Sequence, residues 1–123
     1  MKRLLLSILL LPSLSFLGAS QTRSVVARVT AYCPCSKCCG HRAKGVTASG
    51  GTAWKKGIAA DGRFAAFGTV IHVPEYGLAQ VDDRGRAMKK SYDCGIIHLD
   101  IRFGDHEKAK RWGSRWMNVT IFE

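Results

Sequence analysis

The stretch Ile96-Ile97-His98-Leu99-Asp100-Ile101-Arg102-Phe103 alternates apolar and polar residues from Ile97 onward. In an extended strand successive side chains point to opposite faces. Ile97, Leu99, Ile101 and Phe103 therefore go to one side, and His98, Asp100 and Arg102 to the other. The first side anchors a core. The second sets an acid between two groups able to carry positive charge, a placement that suits a cleft, with a solvated sheet face as the plain alternative.

Outward from this segment the pattern repeats in short pieces. Val25 to Tyr32 alternates, Thr69 to Val73 is a β-branched run stopped by Pro74, and Leu78 to Asp83 is closed by Arg84-Gly85. Met117 to Phe122 places Met117, Val119 and Ile121 on one face. From Gly40 to Gly62 the chain is rich in glycine, lysine, serine and threonine, which predicts irregular connections. One helix is expected, from about His106 to Trp112, with Asp105 as its N-cap, Gly113 just beyond its end and Lys108, Lys110 and Arg111 toward its C-terminus. Many short strands with one short helix point to a small closed barrel, because closure removes exposed strand edges.

The first twenty residues read as a secretory signal. Lys2 and Arg3 precede an apolar stretch from Leu4 to Leu17, and Gly18-Ala19-Ser20 offers a cleavage site. That stretch is short for a membrane span, so export to the periplasm, envelope or exterior is expected, with no span left after cleavage. Residues 21–123 then fit one domain with a modest core, expected to be a monomer. They carry 17 basic and 9 acidic residues, a net +8, once Lys2 and Arg3 leave with the signal. Such a surface favours anionic polymers, wall glycan among them. An export signal and the lack of alternating aromatic and basic residues argue against nucleic acid.

Five cysteines in an exported chain of this size suggest oxidation. Cys33, Cys35, Cys38 and Cys39 crowd one segment and Cys94 stands apart, so an odd thiol remains in a monomer. The crowded sulfurs also suit zinc or another soft metal, which His41 would be placed to join. A disulfide staple is the leading expectation for the cluster, and neither a metal nor a cofactor is expected to serve the chemistry.

Among the carboxylates, Asp82 and Asp83 are adjacent and face opposite ways in a strand, so only one can share a pocket with Asp100. Asp83 lies on the face of Ala79 and Val81 and is expected to be the buried one. A carboxylate that is desolvated, or held beside another, stays protonated nearer neutrality, the state a general acid needs. Glycosidic bonds need such an acid, and one residue suffices when the sugar's own hydroxyl is the nucleophile.

The series Val29-Thr30-Ala31-Tyr32-Cys33, Gly57-Ile58-Ala59-Ala60-Asp61, Phe67-Gly68-Thr69-Val70, Glu75-Tyr76-Gly77, Val81-Asp82-Asp83-Arg84-Gly85 and His98-Leu99-Asp100-Ile101-Arg102-Phe103 resembles the three-aspartate domain family. That family is related to the catalytic barrel of membrane-bound lytic transglycosylase A and to stationary-phase wall-remodelling proteins. The resemblance runs from about Val25 to Ile121. It implies a mainly β fold, a six-stranded double-psi β-barrel with one short helix and long loops. It also implies cleavage of peptidoglycan glycan strands between N-acetylmuramic acid and N-acetylglucosamine, leaving a 1,6-anhydromuramyl end.

Carried over by motif, Asp100 would be the general acid and base, Asp83 would tune it and Asp61 would be the first aspartate of the set. Asp105 would match a further acidic position of the transglycosylase, with His98 and Arg102 in support. Plainer roles compete: Asp61-Gly62 is a common turn pair and Asp105 a good helix cap. Two departures stand out, since Arg86 replaces a second glycine and Lys89 to Gly95 lengthen the connection before Asp100. A bond from Cys94 to the cysteine loop would pin that connection. A non-catalytic glycan-binding barrel is the alternative, with Trp54, Tyr76 or Trp116 as sugar platforms if exposed.

Overall fold

The computed structural model describes Ser13 and residues 21–123, so the signal expected in residues 1–20 lies outside the described residues apart from Ser13. Six strands close into a barrel: β1 (Thr22–Tyr32), β2 (Ile58–Ala59), β3 (Val70–Val73), β4 (Gly77–Asp83), β5 (His98–Arg102) and β6 (Ser114–Phe122). Around the barrel they run β1-β5-β2-β4-β3-β6. Two neighbouring pairs are parallel, β1 with β5 and β2 with β4, and the other four pairings are antiparallel. Parallel neighbours require crossover connections, so the chain must pass over the barrel ends between them. Long loops therefore gather at those ends.

The apolar face of each strand supplies the interior. Val29, Ile58, Ile71, Val73, Val81, Leu99, Ile101 and Val119 are fully buried, and Trp112 closes the cluster while donating its indole N–H to Val29 O at 3.1 Å. That satisfied N–H is what allows so large a ring to be buried. Tyr76 is also buried, its hydroxyl donating to Arg102 O at 2.7 Å, so it is a core residue and no sugar platform. Trp54 and Trp116 are exposed. No helix among the described residues is long and apolar enough to cross a membrane.

Three short helices occur where one was expected: α1 (Ser36–Cys39), α2 (Arg86–Asp93) and α3 (His106–Trp112). The third has the expected bounds, with Asp105 Oδ1 accepting from Glu107 N at 2.8 Å and Lys108 N at 3.3 Å. The connection before Asp100, read as a longer loop, is the helix α2. Only Met88 of its eight residues is buried, so the sequence shows almost no apolar stripe. Strand β2 was hidden in a glycine-rich segment because two residues carry no period, yet Ile58 and Ala59 are held on both sides by β4 and β5.

Candidate active site

Asp100 sits mid-strand in β5, opposite Thr30 of β1 and Ala59 of β2, so its backbone is fixed on both sides. The polar face of β5 is not solvated. His98 and Arg102 are buried, and His98 lies under α2, where its Nδ1 meets Ser91 Oγ at 3.0 Å. Its Nε2 meets Thr30 Oγ1 at 2.8 Å, and the Thr30 hydroxyl donates to Asp100 Oδ1 at 3.0 Å. With Asp100 ionised, the chain is satisfied when Ser91 donates to Nδ1, Nε2–H donates to Thr30 and Thr30 donates to Asp100. Burial first, and Arg28 second, push the His98 pKa below its usual value, in keeping with a neutral ring.

Asp100 Oδ2 makes no hydrogen bond to the described residues and is not sealed from solvent, which leaves it facing the cleft that Asp100 lines. Desolvation raises the Asp100 pKa to about 6, opposed by the Thr30 hydrogen bond and assisted by the negative charge of Asp83. A carboxyl so raised can both give and take a proton within the ordinary pH range.

The second carboxylate of the cleft is Asp83. Its Oδ2 accepts from the Tyr32 hydroxyl at 2.7 Å, and its Oδ1 from Ala48 N at 2.9 Å and Arg84 N at 3.0 Å. All of its recorded partners donate. The Tyr32 hydroxyl in turn accepts from Arg102 Nη1 at 2.9 Å. Desolvation is the main reason that the Tyr32 pKa is raised, so the phenol keeps its proton for Asp83.

Asp82, expected to be the exposed member of the pair, is instead closed against Arg102. The guanidinium takes both carboxylate oxygens, at 2.9 and 2.5 Å, and donates through Nε to Lys55 O at 2.9 Å. A bulge explains why alternation misled: β2 pairs Ile58 with Val81 and then Ala59 with Asp83, so Asp82 is the extra residue. Gly57 permits the closure, since a Cβ there would lie 2.1 Å from Arg102 Nη2 and 2.5 Å from Asp82.

Asp83 and Asp100 share a cleft of about 430 Å³ whose walls include Tyr32, Cys38, Lys44 and Arg84. A second depression, containing Asp61, shares Arg42, Arg84 and Gly85 with it and adds Arg86 and Lys89, so a basic strip leads away from the two acids. Asp61 itself lies outside the cleft of Asp83 and Asp100. Its Oδ1 accepts from Arg63 N and Nε at 2.8 and 2.9 Å, and the Arg63 hydrogen bonds hold its carboxyl below the usual range. It organises the turn that carries Phe64 and Ala65, as the turn-pair reading anticipated. Asp105 likewise lines neither depression and is engaged as the α3 cap.

None of the five cysteines forms a disulfide, so the expected staple is absent, and Cys94 is exposed at the end of α2 rather than tied to the cysteine loop. Cys33, Cys35, Cys38 and His106 instead converge, their ligand atoms all within 4.8 Å of one another. These four are the residues that could hold a metal. His106 was the member missed, because 68 residues separate it from Cys38 and only the barrel brings them together. His41, in the short turn after α1, is not among them.

No family model matches the chain, so the likeness to the three-aspartate domains stands on the residues that carry it. Over 93 residues, 75% of its length, the chain is 34% identical to a Bacillus subtilis (strain 168) protein named "Putative cell wall shaping protein YabE", and it spans 21% of that longer relative.

Proposed function

We propose that this chain is an exported enzyme of the lytic transglycosylase type that cleaves peptidoglycan glycan strands at the N-acetylmuramic acid to N-acetylglucosamine β-1,4 bond. The observation that carries the reading is the Asp100 carboxyl, desolvated, raised to about 6 and left with a free oxygen in the cleft it shares with Asp83. The likeness to the three-aspartate domains and the cell wall name of the Bacillus subtilis relative support the choice of substrate. So does the basic strip of Arg42, Arg84, Arg86 and Lys89, which suits the lactyl and peptide-stem carboxylates of muramyl units.

Protonated Asp100 gives its proton to the leaving O4 of N-acetylglucosamine as C1 of the muramyl sugar gains oxocarbenium character. The carboxylate so formed takes the proton from the muramyl C6 hydroxyl as O6 bonds to C1. The products are a 1,6-anhydromuramyl end and a free 4-hydroxyl, with Asp100 again protonated and no water consumed. Asp83 holds negative charge beside the developing cation and keeps the Asp100 proton available. Thr30 aims the acid, and neutral His98 orients Thr30.

Digestion of purified sacculi tests the reading by mass spectrometry of the released muropeptides. Wild-type chain is expected to release anhydromuropeptides, with a rate that falls as pH rises through about 6 because the general acid loses its proton. Asp100→Asn should lower release by at least about a hundredfold while the folded protein still sediments with sacculi. Reducing-end products, or release unchanged in Asp100→Asn, would sink the reading. Binding without release by the wild type would assign the barrel to glycan recognition alone.

A further inference from the structure

We infer that Cys33, Cys35, Cys38 and His106 form a tetrahedral zinc site that braces the wall of the cleft. The inference does not depend on glycan cleavage. Three thiols and one imidazole are the ligand set of a structural zinc centre, soft donors that leave no open position. The geometry is specific. His106 Nδ1 lies 3.4 Å from each of the three sulfurs, and Cys33 Sγ lies 2.7 Å from Cys35 Sγ and 3.1 Å from Cys38 Sγ. A tetrahedral zinc with ordinary bond lengths sets nitrogen-to-sulfur edges of about 3.6 Å and sulfur-to-sulfur edges of about 3.8 Å. The imidazole is therefore already at its edge length, and the sulfurs need only spread around the ion. A disulfide would leave one thiol and the imidazole without a role.

The fold explains the convergence. Strands β1 and β5 are parallel and in register from Arg28 with His98 to Tyr32 with Arg102, so the loops that follow them leave the same end of the barrel. Cys33 follows the last residue of β1 and is buried. Cys35 precedes α1, and the turn closed by Cys38 N and Cys39 N on Cys35 O brings Cys38 back toward it. From the β5 side, His106 opens α3 just after the Asp105 cap. The cluster thus ties two loops that the chain keeps 68 to 73 residues apart. Cys38 also lines the cleft, as do Cys39 and Pro34, so the same ion would hold that part of its wall in place. Each ligating thiol gives up its proton to solvent on binding, and no oxidation is involved.

The test uses the full chain expressed as it stands, purified with reductant and without chelator, and analysed for metals by mass spectrometry. About one zinc per chain is expected. Exchange for cobalt(II) should give the intense visible bands of a tetrahedral ion together with a thiolate-to-cobalt charge-transfer band. His106→Asn and Cys35→Ser should lose the metal and the charge-transfer signature, whereas Cys39→Ser and Cys94→Ser should keep both. Chelation should lower the melting temperature by roughly 10 °C or more. Should the ligand variants fail to fold, the cobalt spectrum of the wild type decides. Zinc below about a tenth of an equivalent, with Cys33, Cys35 or Cys38 found in disulfides, would overturn the site.

Discussion

Asp100 and Arg102 stand two residues apart on the same face of β5, and the protein treats their charges in opposite ways. Arg102 is almost wholly buried, but its guanidinium is matched on every side by Asp82, Tyr32 and Lys55 O. Asp100 receives one hydrogen bond from Thr30 and no cation, with a like charge nearby in Asp83. A paired buried charge holds a structure in register, whereas an unpaired one costs stability wherever it is ionised. The first region specifies the barrel. The second holds a proton that can be released.

The comparison breaks most visibly at the pair. Arg102→Met leaves Asp82 closed in without its partner and should lower stability by about 3–5 kcal/mol in urea denaturation. Arg102→Met with Asp82→Leu should regain much of that loss, because no uncompensated charge remains. A single variant within about 1 kcal/mol of wild type would show that the pair does not organise this end of the barrel.

At the other region the sign reverses. Because folding raises the Asp100 pKa from 3.8 to about 6, the folded chain binds this proton more tightly than the unfolded chain. The penalty is absent below the unfolded value, grows as pH rises through the interval and is complete above about 6. Asp100→Asn should therefore be as stable as wild type near pH 3.5 and more stable above pH 6 by up to about 3 kcal/mol, as melting curves across pH would show. A variant less stable than wild type at neutral pH would mean that the carboxylate is held favourably after all.

Thr30→Val sharpens the contrast with the smallest expected change. It removes the one hydrogen bond that holds the Asp100 pKa down and leaves His98 Nε2 without its partner. A cost of about 1 kcal/mol is expected, with the fall in activity that follows loss of the Asp100 proton moving to higher pH. Movement to lower pH would assign Thr30 a different role.

How much of this was legible in the chain differs by element. The alternation around Asp100 gave β5 and its apolar face, and Asp105 with Gly113 marked both ends of α3, because caps and periods are local properties. Strand β2 and helix α2 left no such mark, one being two residues long and the other burying only Met88. The contact of Asp83 with Tyr32 was hidden because it joins strands β1 and β4, which are not neighbours around the barrel. For Asp82 a correct period led to the wrong face, since a bulge inserts a residue that alternation cannot foresee.

The sequence by itself determined that this is a small β domain with a basic surface, an acid on the polar face of a strand and a crowded group of thiols, since each follows from composition or from the pitch of an extended chain. Only the tertiary structure decided that Asp82 is sealed against Arg102, and that a histidine from α3 meets the thiols. Those outcomes depend on barrel closure and on the register of parallel strands, which bring together residues that local pattern cannot relate.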